Sequence, residues 1–282
     1  APAMNPRMWA HAATRANVET LLARGVELAG PDEGEMAEGE WGVGRMAEPA
    51  EIAASISTLL GPRSLAGRRV LVTAGGTREP LDSVRFLGNR SSGRMGVALA
   101  AEAARRGATV TLLAANLAVA PPAGVEVVQT PTAADMAREA LARDADLVLM
   151  AAAVADYRPT DAREDKRPKD AEAWLVELEP TEDILRALGE RRREGQVLVG
   201  FAADRGDAGL ARAREKLAAK RVDAIVFNDV SRADIGFDAL DNEVLLVGRD
   251  GEHPVPKASK ERVAAAIVDE AVRLLALTTP GH

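Results

Sequence analysis

From residue 65 onward, short continuous apolar runs alternate with longer amphipathic ones. That alternation leaves few folds open. The apolar runs fall at 69–73, 109–113, 125–129, 146–153, 197–202 and 224–227. A strand apolar on both faces must be covered on both faces, which is the condition of a parallel sheet between helices. The amphipathic runs predict helices at about 92–106, 133–143, 182–193 (capped by Thr181), 208–220 and 259–277. Further strands are expected at 174–179, which alternates, and at 243–248. The expectation is therefore an α/β fold: a doubly wound, mostly parallel, Rossmann-like sheet with helices on both faces. Ligands of such sheets lie at the carboxyl ends of the strands. The loops after Thr73, Ala153, Ala202 and Phe227 should then share one rim.

Ahead of this region the pattern differs. Residues 1–30 read as one helical stretch, with Asn5 as cap, Pro6 in the first turn and Gly25 at its end. Val26-Glu27-Leu28 is a short strand candidate. Residues 30–48, rich in Gly and Glu and without periodicity, suggest a mobile loop; a helix follows at 51–60. Gly61-Pro62-Arg63-Ser64 breaks that helix. The expected organisation is a first region at 1–60, a linker at 61–66 and a main domain at 67–282. Ala1-Pro2-Ala3-Met4-Asn5 is neither an initiator methionine nor a signal peptide. It reads as the interior of a longer, cytoplasmic polypeptide.

Composition removes several chemistries. Cysteine is absent, which excludes disulfides, thiolate metal sites and a cysteine nucleophile. The three histidines, His11, His253 and His282, are scattered, so no metal-ligand spacing exists. A net charge of −7 argues against general nucleic-acid binding, and no apolar run reaches membrane-spanning length. An anionic ligand must instead meet a local basic cluster.

The rim supplies such clusters. Gly75-Gly76-Thr77 ends the first strand, and Asn89-Arg90-Ser91-Ser92-Gly93-Arg94 leads into the next helix. A glycine-rich loop at a helix N-terminus turns backbone N–H groups towards an anion. Ser91 and Ser92 are natural helix caps and could also bond phosphate oxygens. A plain surface turn is the alternative for the two glycines. After the fourth apolar run, Ala153 and Asp156 offer a small-residue surface and a carboxylate for a sugar hydroxyl or base amine. The alternative for Asp156 is a turn cap. Phe201 is either core or a platform for a base. Lys216 and Lys220 lie one helical turn apart, on one face, where a solvated pair is the usual case. The stretch Arg163-Glu164-Asp165-Lys166-Arg167-Pro168-Lys169 has no apolar anchor; it is either a solvated face or a mobile loop that brings lysine to a reacting phosphate. The residues alone point to a nucleotide-binding α/β domain whose catalytic cations are Arg and Lys.

The segments GGTREPLDSVRFLGNRSSGRMG, AAAVADYRP, GFAAD, KLAAKRVDAIVFND and DNEVLL, in that order, resemble phosphopantothenoylcysteine synthetase over about residues 65–275. In bacteria this enzyme is usually fused behind a flavin-dependent phosphopantothenoylcysteine decarboxylase. The opening APAMNPRMW and the later GVGRMAEP resemble parts of that decarboxylase. The resemblance implies a ligase that joins 4′-phosphopantothenate to cysteine through an acyl-cytidylate, with CTP and Mg²⁺, in coenzyme A biosynthesis. By the same resemblance Asn89 handles the acyl-cytidylate. Gly75, Ser91, Ser92, Gly93 and Arg94 hold phosphates, and Ala153, Asp156, Phe201, Lys216 and Lys220 complete the nucleotide pocket. Lys166 and Lys169 stand where the family carries its Lys-x-Lys-Lys motif, although Pro168 interrupts it. Asn5 would be a remnant of the decarboxylase site, and otherwise a helix cap. The FMN site is expected upstream of this chain, and Glu38 stands where the decarboxylase flap carries cysteine, so no decarboxylase activity is expected. The resemblance also implies a homodimer of the synthetase domain, and larger assemblies with a complete decarboxylase. Two other classes remain: an NAD(P)-type oxidoreductase on a similar sheet, and a non-catalytic nucleotide-binding module.

Overall fold

The computed structural model describes residues 1–36, 39–60, 63–169, 172–231 and 241–278, and the chain divides into two units, 1–62 and 63–282. Glu38 and His282, and Gly61 and Pro62 of the expected linker, lie outside the described residues.

In the first unit the single helical stretch becomes two helices, α1 (Pro6–Ala10) and α2 (Ala12–Ala23). His11 breaks it by turning extended and accepting the Ala13 amide on Nδ1. Val26-Glu27-Leu28 forms no strand. Residues 30–48 are not a loop throughout. They contain an antiparallel hairpin, β1 (Asp32–Glu35) and β2 (Trp41–Arg45). Its glycines hid it from periodicity but permit close contact: a Cβ on Gly44 would lie 2.1 Å from the Met4 carbonyl oxygen. The helix α3 (Pro49–Leu60) closes the unit.

The second unit carries the sheet. In chain order it contains β3 (Arg69–Gly75), β4 (Arg78–Pro80), β5 (Phe86–Gly88), α4 (Arg94–Arg105), β6 (Thr109–Ala115), β7 (Glu126–Gln129), α5 (Ala133–Ala142) and β8 (Leu147–Met150). Then follow β9 (Tyr157–Pro159), β10 (Leu178–Pro180), α6 (Ile184–Glu190), β11 (Val197–Asp204), α7 (Gly206–Ala219), β12 (Ala224–Asp229), β13 (Asp241–Gly248), β14 (Gly251–Ser259) and α8 (Lys260–Thr278). Among the described residues the main sheet runs β14-β13-β12-β11-β8-β3-β6-β7. The six strands from β12 to β7 are parallel, and β13 and β14 are antiparallel. Starting from β3, the parallel strands reverse direction across the sheet between β3 and β8, the switch point where such folds open a crevice.

Alternation along the strands explains the two covered faces. Val70, Val72 and Ala74 of β3 pack with α4 and α8, while Leu71 packs with residues of α5, α6 and α7. Leu71, Leu112, Leu147, Leu149, Leu198 and Ile225 are fully buried. Each such side chain contributes about 1.5–3 kcal/mol, so the sheet is a stiff base for the loops at its rim. Gly96 brings α4 onto that base: a Cβ there would lie 2.4 Å from the Ala74 Cβ. Leu65 is also fully buried and donates its amide to the Arg106 carbonyl, 3.1 Å away.

Three expectations shift. The strand expected at 174–179 is reduced to β10, which pairs with β9 as a small ribbon. The helix expected at 182–193 starts later and is capped by Asp183, whose side chain accepts the Arg186 amide. Thr181 instead donates its hydroxyl to the Ala155 carbonyl, 2.6 Å away. The strand β14 was hidden by Pro254 and Pro256. It lies at the sheet edge, where a missing N–H leaves no ladder bond broken. No described helix is long and apolar enough to cross a membrane.

Candidate active site

The rim is stapled together by the loop after β8. Ala153 donates its amide to the Gly75 carbonyl at 2.8 Å, and Thr77 donates to the Ala153 carbonyl at 3.3 Å. Two fully buried hydroxyls continue the seam: Thr73 Oγ1 accepts from the Ala152 amide at 3.0 Å, and Thr77 Oγ1 accepts from Ala155 at 2.9 Å. Asn89 ties its own loop to the same segment, donating Nδ2 to the Val154 carbonyl at 2.9 Å. Five bonds thus fix a stretch of small residues, 151–155, whose own side chains carry no polar group.

Beside this seam lies a cavity of about 450 Å³. Asn89, Ala153, Asp156, Phe201, Lys216 and Lys220 all line it, with Arg90, Thr181 and Asp183. A smaller hollow of about 80 Å³ is lined by Ser91, Ser92, Gly93 and Arg94 at the start of α4. Phe201, Ala202 and Ala203 line both spaces. Phe201 also packs against the core, so it serves as wall and core at once. The two serines do not cap α4. Gly93 is the N-cap, in a left-handed conformation and with no side chain of its own to cap the helix, and its amide donates to Ser91 Oγ at 3.4 Å. A helix N-terminus of this kind favours an anion.

The charges are arranged around the cavity mouth. Lys220 Nζ lies 3.0 Å from Asp183 Oδ1, the oxygen that also caps α6. At the end of β11 the Arg212 guanidinium, 2.7 Å away, and the Arg205 amide hold the Asp204 carboxyl down at about 2, with Lys216 adding a weaker pull. Asp204 is thus an anion throughout the neutral range and helps set the position of α7, which carries both lysines.

Four sequence-predicted residues lie elsewhere. Gly75 lines neither space. The next two amides, of Gly76 and Thr77, are engaged by the Ala115 and Ala153 carbonyls, so the glycine turn joins loops. Lys166 and Lys169 are exposed on a separate loop and line neither space. Asn5, in the first unit, caps α1: its Oδ1 accepts the Arg7 amide at 2.8 Å and its Nδ2 donates to the Glu40 carboxylate. The bonds made by the Thr73 and Thr77 hydroxyls and the place of the Asp183 carboxylate at the cavity were not anticipated. Only Asp183 carried a signal, since an Asp ahead of an apolar helical run is a cap pattern. Among the described residues no group of three or more His, Asp or Glu side chains could hold a metal ion unaided.

Comparison with known proteins follows this division. Residues 65–275 match the family model for the DNA/pantothenate metabolism flavoprotein C-terminal domain, and residues 1–61 match the Flavoprotein model. The chain is 40% identical over 273 residues to the coenzyme A biosynthesis bifunctional protein CoaBC of Vibrio cholerae, covering 95% of this chain and 68% of that protein. It is 43% identical over 295 residues to the CoaBC protein of Mycobacterium bovis, covering 98% of this chain and 70% of that one. A crystal structure of the C-terminal domain of a CoaBC protein superposes with a TM-score of 0.65 at 37% identity, covering 76% of this chain and 98% of that domain. The first 61 residues are thus similar to flavoproteins in their own right, a broader statement than the remnant expected from the sequence.

Proposed function

The chain belongs to the family of CoaBC coenzyme A biosynthesis proteins, and on that premise we propose that its second unit is a CTP-dependent phosphopantothenate–cysteine ligase. The observation that carries the reading is one cavity that gathers Asn89, Asp156, Phe201, Lys216 and Lys220, with the glycine-capped N-terminus of α4 lining the hollow next to it. These groups reach one another only through the fold, and none is a strong acid–base pair.

The reaction asks for that. In the first step the carboxylate of 4′-phosphopantothenate bonds the α-phosphorus of CTP. The bond from that phosphorus to the bridging oxygen breaks, and pyrophosphate leaves with the electron pair. In the second step the free amine of cysteine bonds the acyl carbon, CMP leaves, and the amine proton passes to solvent. Both steps build negative charge on phosphate oxygens, so fixed donors and cations supply most of the stabilisation. Lys216 and Lys220 hold the triphosphate from α7, and Lys220 exchanges Asp183 for phosphate. Ser91, Ser92, Gly93 and Arg94 hold phosphate at the helix end. Ala153 and Phe201 wall the nucleoside, and Asp156 accepts a bond from it. Asn89 acts at the acyl-cytidylate, and Lys166 and Lys169 act on its formation. Mg²⁺ belongs with the CTP phosphates in this reading, with Asp156, Glu182 and Asp183 as the carboxylates that line the cavity.

FMN enters only through the Flavoprotein match of residues 1–61. Both ends of the Asn5 amide are engaged within that unit, by the Arg7 amide and the Glu40 carboxylate. For the synthetase half we propose a homodimer. Support comes from the apolar side chains on its two ribbons: Phe86, Tyr157 and Leu178 are 50%, 52% and 42% exposed on neighbouring short strands. Light scattering should return twice the chain mass, and a monomer at micromolar concentration would reject this assembly.

Pyrophosphate release tests the reaction itself. Release from CTP that requires 4′-phosphopantothenate, with CMP formation rising on addition of cysteine, is the expected result. CTP binding without turnover would make the domain a binding module. A melting shift with dinucleotide and none with CTP would make it an oxidoreductase. Lys166→Gln and Lys169→Gln should each slow the first step; if neither changes the rate tenfold, about 1.4 kcal/mol of barrier, the lysines have no part in it.

A further inference from the structure

The basic loop at 163–169 is gripped at Arg167, and what grips it is a buried acid. The Asp82 side chain has no exposed surface. Its Oδ1 accepts the amides of Val84 at 2.9 Å and Arg85 at 2.8 Å, which closes the turn between β4 and β5. Its Oδ2 takes the Arg85 guanidinium at 2.7 Å and the Arg167 amide at 3.2 Å. Arg85 then reaches across with Nη2 to the Arg167 carbonyl at 2.5 Å. The backbone of Arg167 is therefore gripped at both its N–H and its C=O. The guanidinium groups of Arg85 and Arg167 lie over the ring of Trp174, 4.7 and 5.0 Å from its centre. One further bond, from the Arg163 amide to the Leu81 carbonyl at 3.1 Å, ties the start of the loop to the same turn.

Lys166 and Lys169 flank this fixed residue and are both exposed. The strand β5 leads from the same turn to Asn89, so one carboxylate shapes the hairpin that delivers Asn89 and fixes the loop that carries the lysines. We propose that Asp82 is a positioning residue for the ligation, anchoring the 163–169 loop to the β4–β5 turn so that Lys166 and Lys169 meet the nucleotide from a fixed backbone. This rests on the ligase reading for its kinetic consequence, but the anchor itself does not.

A solvated loop needs no such device. Burial alone would favour a neutral Asp82; the amides of Val84, Arg85 and Arg167, with the Arg85 charge, overcome it and hold the carboxyl at about 2. The anchor is thus fully charged at any working pH.

Asp82→Asn separates the anchor from the fold. It preserves size and one acceptor for the turn, but its NH₂ cannot accept from Arg167. Limited trypsin digestion reads the loop without reference to activity. Cleavage after Lys166 and Lys169 should quicken at least tenfold in Asp82→Asn, with an unchanged far-ultraviolet spectrum. In the same variant kcat for pyrophosphate release should fall at least tenfold while KM for CTP changes less than threefold. The further loss from Lys166→Gln or Lys169→Gln should shrink in that background. Should Asp82→Asn fail to fold, Trp174→Ala removes the stacking surface outside the turn and should give the same pattern in weaker form. Unchanged cleavage overturns the anchor. Faster cleavage with unchanged kcat overturns the positioning role. A wild-type protein that releases no pyrophosphate defeats the ligase reading and the positioning role with it, while the digestion still decides the anchor.

Discussion

Asn89→Asp should fold as the wild type does and release pyrophosphate about a hundredfold more slowly, about 2.7 kcal/mol of added barrier. Two effects of the same sign combine. The Asn89 amide donates to the Val154 carbonyl, and a carboxylate oxygen at that place can only repel it. Losing a hydrogen bond of this kind costs about 0.5–1.5 kcal/mol. The new charge also faces the space assigned to a triphosphate. At about 4 Å, a unit charge pair costs about 1 kcal/mol in bulk water and about 4 kcal/mol near a protein surface. Because Asn89 is exposed and holds no core position, melting should shift little. Asn89→Ala loses the bond without adding charge, so its loss should be smaller than that of Asn89→Asp. Single-turnover pyrophosphate release checks both, and a rate for Asn89→Asp within threefold of wild type removes Asn89 from the reacting centre.

Much of the sheet was legible because its strands are buried on both faces and so read as unbroken apolar runs. The rim followed from that, since parallel strands place their carboxyl ends together. What escaped reading was of two kinds. Short strands in ribbons, such as β4 with β5, are too brief for a period to register. β14 is an edge strand whose two prolines argue against it until its place in the sheet is known. The second kind concerns polar groups acting at long sequence range. Asp82 and Arg167 are 85 residues apart, as Thr77 and Ala155 are 78 apart. No local pattern announces such pairs. For the same reason the lysine loop read first as a solvated face and otherwise as a mobile arm, and the fold gives a third answer, a loop anchored at Arg167.

The glycines illustrate the difference between a motif and its use. Gly75-Gly76 invited a phosphate role, yet the amides that would serve it are engaged by carbonyls. In the proposed reaction the phosphate-holding task falls instead to the start of α4, where Gly93 is the N-cap. Gly75 acts one level below, by letting three segments meet.

That role predicts a large effect. Gly75→Val should lower the melting temperature of the second unit by about 8–16 °C. Gly75 holds φ at +88°, and a Cβ there would lie 1.9 Å from the Ala115 carbonyl oxygen and 2.8 Å from its carbon. The left-handed backbone alone costs a side chain about 1–2 kcal/mol. The clash is with backbone where the paired interior strands β3 and β6 end, which cannot move aside as a side chain would, so the two strand ends must part. A total of about 4 kcal/mol puts the change among the severe ones, and about 2–4 °C per kcal/mol for a domain of this size gives the stated shift. The damage should also reach the cavity, because the Gly75 carbonyl holds the Ala153 amide that lines it. Gly75→Val should therefore bind CTP at least tenfold more weakly at temperatures where it is still folded. A variant that melts within about 3 °C of wild type and keeps its CTP affinity would show that the seam between β3 and the loop after β8 does not depend on this glycine.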